Sequence, residues 1–138
     1  MLQNIYDLAN DLKECENQTE KFQYFIELAK EIPELNKLSI EEKNEENKIL
    51  GCASDAWVIV ERDNAEKKII IRADADGSIS KGFLAFFIIG FADATQQEIL
   101  EFSVNDLQKL GVVDSLSPSR ANGALSSLNK IHALIKKL

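Results

Sequence analysis

The chain has 138 residues, 45% hydrophobic and 28% charged, with a formal net charge of −7 and a pI near 4.8. That length makes one ordinary domain, residues 1–138, able to bury a core without disulfide staples, and the composition is globular rather than disordered. The acidic balance opposes a phosphate-binding surface, which needs clustered Lys and Arg, and no basic stripe with interleaved aromatics occurs, so neither nucleic acid nor an anionic membrane is expected as a partner.

The first residues, MLQNIYDLANDLKECENQ, contain no basic segment, apolar run or small-residue cleavage site of a secretory signal, and no Arg of a transit peptide, so a cytoplasmic location is expected. Leu2, Ile5, Leu8, Ala9 and Leu12 recur at helical spacing and predict a first helix ending near Cys15. Asn17 followed by Glu20 reads as a capping box. Phe22, Phe25, Ile26, Ala29 and Ile32 give a second helix its apolar face, and Pro33 stops it. The stretch SIEEKNEENK (39–48) is the one linker-like segment and reads as solvated.

Beyond it the period changes. Trp57 to Val60 and Lys68 to Arg72 are short β-branched runs separated by a turn over 63–66, a hairpin signature. Ala73 to Ser78 reads as turn chemistry, with Gly77 available for positive φ. A helix is expected from Ser80 or Lys81 through the apolar run GFLAFFIIGF (82–91), which is too short to span a bilayer, for which roughly 20 residues are needed. Thr95 with Glu98 is a second capping box, and Ser103 to Gly111 gives another short helix with Gly111 past its end. Ser117-Pro118 opens a long last helix with Ala121, Ala124, Leu125, Leu128, Ile131 and Ile135 along its apolar face. The fold class is α+β: a small antiparallel sheet of about three strands, packed on one side by about six helices.

Two cysteines and one histidine do not make a disulfide scaffold, nor a four-ligand zinc site without added carboxylates, so no structural metal is expected. Cys52, in Gly51-Cys52-Ala53-Ser54, falls between the polar segment and the Trp57 strand. A loop thiol beside a glycine can be offered to another protein, but only its thiolate is a good nucleophile, and Arg120, Lys81 or backbone N–H groups are candidates to stabilise it. The bland alternative is an inert small hydrophobe. Cys15 and His132 read as packing residues, although a Cys52–His132 dyad is open in principle. Asp74 and Asp76 are a carboxylate pair of the kind that can bind a metal or act as acid and base, but two acids followed by Gly read first as ordinary turn formers. No glycine pattern implies a nucleotide site.

Three segments taken together resemble the SufE/CsdE family of sulfur acceptors. NKILGCASDAW (47–57) is similar to its acceptor-cysteine loop, ADADGSISKGFLA (73–85) to its Asp-rich turn followed by Lys-Gly and an apolar helix, and LSPSRANGAL (116–125) to its Leu-(Ser/Thr)-x-Ser-Arg-x-x-Gly helix start. With Pro33-Glu34-Leu35 the resemblance spans nearly the whole chain. The departures are Ile79-Ser80 where an apolar pair is usual, and Ala53 where polar residues are common; neither touches the thiol chemistry.

The resemblance implies a SufE/IscU-like single domain that is not itself an enzyme. Cys52 would take persulfide sulfur from a SufS/CsdA-like cysteine desulfurase, stimulate that enzyme, and pass the sulfur to an iron–sulfur scaffold or another acceptor. No cofactor is expected on this chain, since the pyridoxal phosphate belongs to the desulfurase. It also implies a cysteine tucked into an apolar pocket, for which Leu50, Trp57 and the 82–91 helix offer walls, with Gly51 as hinge. Ser54, Trp57, Asp74, Lys81, Gly82 and Arg120 become candidates for loop or partner contacts. The other readings are a thiol-dependent enzyme using Cys52 and an interaction module that activates a desulfurase without carrying sulfur.

Overall fold

The structure, a computed structural model, describes residues 2–63, 65, 68–114 and 116–138. Helices α1 (Gln3–Glu14) and α2 (Gln18–Lys30) lead through two short 3-10 turns, Glu34–Asn36 and Glu45–Asn47, to strands β1 (Ala56–Asp63) and β2 (Lys68–Ala75). Helices α3 (Ser78–Gly90), α4 (Gln96–Glu101), α5 (Val104–Lys109) and α6 (Pro118–Lys136) complete the order.

The expected helices form for local reasons. Ile5, Ala9 and Leu12 bury one stripe of α1. Asn17 accepts the Glu20 N–H at 2.9 Å, while the Glu20 carboxylate reaches back one residue further than expected, to the Glu16 N–H. Both short helices open on true capping boxes, Thr95 with Glu98 and Ser103 with Asp106, and Gly111 takes the left-handed φ of +76° past α5. Ser117 caps α6 with Pro118 in its first turn.

The sheet has two strands among the described residues, not about three. They pair antiparallel from Ala56↔Ala75 to Asp63↔Lys68, and an isolated bridge, Lys48↔Trp57, is the pairing seen beside them. Residues 39–48 have no alternating apolar set, so nothing pins a longer ladder there. Part of the expected hairpin turn, residues 64 and 66, lies outside the described residues. Ala56, Val58, Val60, Ile69, Ile71, Ala73 and Ala75 bury the inner face, where β2 meets α3 and β1 meets α6.

Three local expectations change. Ala73 to Ala75 extend β2 instead of turning, because the small inward side chains Ala73 and Ala75 continue its alternation. Helix α3 starts at Ser78, earlier than expected, and Gly77 has an ordinary φ of −90°. What Gly77 supplies is space, since a Cβ there would run into Ser54 Oγ. The 39–48 stretch is a strap over the outer face of the sheet rather than a free linker. Glu42 holds both terminal nitrogens of the Arg72 guanidinium, at 2.7 and 2.6 Å, a fork geometry that only arginine offers a carboxylate. Lys43 pairs with Asp74 and lies 5.9 Å from the Trp57 ring centroid.

Helix α3 is the centre of the core. Gly82 to Ile88 and Gly90 are buried, with Phe83 edge-on to Phe25 of α2 at 5.0 Å. Among the described residues no helix is long and apolar enough to cross a membrane.

Candidate functional site

Residues 50–55 form a short loop closed at its base, where the Ile49 N–H donates to Ala56 O at 2.8 Å and the Asp76 N–H to Asp55 O at 2.9 Å. Gly51 makes the turn at φ +88°, the left-handed region that side chains disfavour. Its carbonyl accepts from Asn122 Nδ2 at 3.4 Å, and a Cβ on it would lie 2.8 Å from Ser126 Oγ, so the loop lies directly on α6. The turn aims Cys52 inward. Its thiol donates to the Gly123 carbonyl at 3.7 Å, and a Cβ at Gly123 would come within 3.4 Å of Sγ.

Cys52 is half-buried against the core. Burial pushes its thiol pKa up, and the neighbouring Ser127 hydroxyl, which favours the ionised form, draws it partly back. The resting group at neutral pH is therefore the protonated, weakly nucleophilic thiol. Of the expected walls, Leu50 is 78% exposed and Trp57 lies under Lys43, and the sulfur also packs on Gly123 of α6, which was not expected.

The other candidates fall into separate groups. Ser54 shares a hydrogen bond with Ser80 Oγ at 3.4 Å and lines a cleft of about 230 Å³ with Ile26, Gly77, Ile79 and Arg120. The Arg120 guanidinium stacks 5.1 Å from the Phe22 ring centroid. Asp74 sits opposite Trp57 in the strand register and pairs with Lys43 and with Lys81, the latter at 3.2 Å. Burial opposes ionisation of Asp74, but Lys43, the Ala75 N–H and Lys81 together outweigh it and hold the carboxyl below its usual value. Neither Arg120 nor Lys81 is therefore the thiol's electrostatic partner, contrary to the expectation. Gly82 is no surface contact either: it is buried, and a Cβ there would lie 2.5 Å from Phe25 O.

His132 is also accounted for elsewhere. Its Nε2 is 2.8 Å from Ile99 O, burial pulls its pKa down, and it follows Gly123 by nine residues, about 13 Å along α6. The Cys52–His132 dyad is not formed. The Cys15 thiol donates to Asp11 O at 3.6 Å, and burial together with nearby acids raises its pKa.

Residues 6–135 match the family described as SufE, Fe-S metabolism associated domain. The chain belongs to the SufE family. The fold also occurs in a hypothetical protein from Thermus thermophilus, known from a solution structure, which superposes with a TM-score of 0.78 at 15% identity, covering 97% of this chain and 94% of that one. The SufE assignment ties the chain to Fe–S metabolism.

Two residues of this SufE site were not singled out in the sequence. Gly123 stands inside the quoted LSPSRANGAL motif, but nothing local says that its carbonyl faces Cys52, 71 residues away. Ser127 left a fainter signal. It falls three residues after Ala124 and four before Ile131, a polar residue on a buried helical stripe, and it is 2% exposed.

Proposed function

We propose that the protein is a sulfur carrier for Fe–S cluster assembly in the cytoplasm, with Cys52 as acceptor. The observation that carries the reading is a cysteine of a SufE-family chain held inward by the left-handed turn at Gly51, protonated at rest and half-buried. A carrier needs that restraint, because a persulfide left in solvent is readily reduced away.

The step balances without added redox. A pyridoxal-phosphate cysteine desulfurase presents a persulfide on its own cysteine. Cys52, once outward and ionised, attacks the terminal sulfur; a new S–S bond forms on Cys52, the donor's S–S bond breaks, and the donor leaves as thiolate. The sulfur is later passed in the same way to a scaffold or another acceptor, and docking also stimulates the desulfurase. Leu50, exposed beside the cysteine, and the Ser54–Arg120 cleft flank the loop as the contact face. The engagement of His132 by Ile99 removes support from a thiol-enzyme reading.

Intact-mass spectrometry tests the proposal: protein, desulfurase, pyridoxal phosphate and L-cysteine are mixed without reductant. The expected product gains about 32 Da per sulfur, on the Cys52 peptide, and loses it to dithiothreitol. Cys52→Ser abolishes the gain and Cys15→Ser does not. A Cys52→Ser protein that stimulates the desulfurase fully would favour the non-carrying module instead.

A further inference from the structure

We propose that Ser127 is a positioning residue for Cys52, its hydroxyl resting on the Gly123 carbonyl while Cys52 is a thiol and turning to donate to the sulfur when Cys52 ionises. The inference rests on the reading of Cys52 as the working nucleophile.

Ser127 is the buried polar side chain among the described residues. A hydroxyl there costs stability unless bonded, and it donates to Gly123 O at 2.7 Å, one helical turn back. The Cys52 thiol donates to that same oxygen at 3.7 Å. One carbonyl thus faces both groups, in addition to the N–H of its own helical ladder, and a carbonyl has two lone pairs. The thiol is the marginal partner of the three.

Ionisation reverses the local polarity. The S–H bond breaks, the proton passes to solvent, and the electron pair stays on a sulfur that can now only accept. It then faces a carbonyl oxygen, and the donor beside it is the Ser127 O–H, which reaches it by rotating. The charged groups on the surrounding elements are engaged with others: Lys48 with Asp55, Lys43 and Lys81 with Asp74, Arg120 over Phe22, and Lys130 with Glu46 O. Burial and Ser127 are what act on the thiol. Ionisation of the inward cysteine, before it turns outward to react, is thereby opposed by burial and favoured by one rotatable hydroxyl on the last helix.

The test is the pH profile of Cys52 alkylation by iodoacetamide, followed by intact mass in a Cys15→Ser background with no desulfurase present. Ser127→Ala is expected to raise the profile's midpoint by about one pH unit, slowing alkylation about tenfold below it. Ser127→Thr, which keeps the hydroxyl, retains the wild-type midpoint. Should alanine disturb packing, the isosteric pair Ser127→Thr and Ser127→Val gives the same comparison, with valine shifted and threonine not. An alanine or valine profile superimposed on wild type overturns the proposal, as does a threonine profile shifted with them. Failure of the wild type to take up sulfur is a separate measurement and overturns the carrier reading alone.

Discussion

Replacing Gly82 with alanine separates packing from partner contact at a residue of the Lys-Gly motif. The new Cβ would stand 2.5 Å from Phe25 O, 2.6 Å from Phe25 Cβ and 2.8 Å from Phe25 C, against an ordinary contact of 3.4–4 Å. All three atoms lie at the α2 backbone, so no side-chain rotation relieves the clash, and α2 must move off α3 by most of an ångström. Overpacking of this kind costs about 3 kcal/mol, and the better helix propensity of alanine returns about 1 kcal/mol. The net is a loss of about 2 kcal/mol. At about 2.1 cal/mol/K per residue, the unfolding entropy of the chain places the expected fall in Tm at about 7 °C. Circular dichroism melting reads it directly, and sulfur uptake well below both midpoints should be unchanged. An equal or higher Tm would refute the packing argument. A normal Tm with lost uptake would return Gly82 to the contact surface.

Two further outcomes follow from the strap and the loop. The Arg72 guanidinium, with help from the Ser39 N–H, lowers the Glu42 pKa from 4.5 to about 2. A depressed carboxylate stabilises the fold fully above its unfolded value and loses that contribution as pH falls through the folded one. The Tm gap between wild type and Glu42→Gln should therefore stay constant from about pH 5 to 8 and close between about pH 4.5 and 2; a gap unchanged across that acid range would contradict the ion-pair account. Gly51→Ala imposes a left-handed φ costing about 1–2 kcal/mol, with its Cβ 2.8 Å from Ser126 Oγ. The loop should lift from α6 and Cys52 should alkylate several-fold faster at fixed pH, whereas an unchanged rate would mean that this turn does not hold the thiol in.

Helices were legible where caps and periodicity agreed. Thr95 with Glu98, Ser103 with Gly111 and Ser117 with Pro118 act within a few residues of themselves, and each stands where its pattern pointed. Strand ends were less so, because Ala73-Asp74-Ala75 has turn-like composition and becomes strand only through pairing with Ala56, Trp57 and Val58. The acidic 39–48 stretch looked solvated because its binding partner, Arg72, lies on a strand 30 residues away from Glu42. At the site, the motif around Cys52 pointed to the loop, and Gly51 to its turn. The wall behind the sulfur was invisible, since it depends on which face α6 presents to β1, a tertiary choice that spacing along one helix does not encode.

The Cys52–Gly123 contact joins residues 71 positions apart, and that separation sets an order of events. At about 5–20 residues per second of synthesis, the cysteine is made about 4–14 s before its helix. Throughout that interval the thiol has no carbonyl to rest on and no hydroxyl beside it. Oxidants and stray electrophiles meet it as they would any peptide cysteine, and only the arrival of α6 turns it into a guarded group. Maturation of the chain and masking of its nucleophile are then the same step.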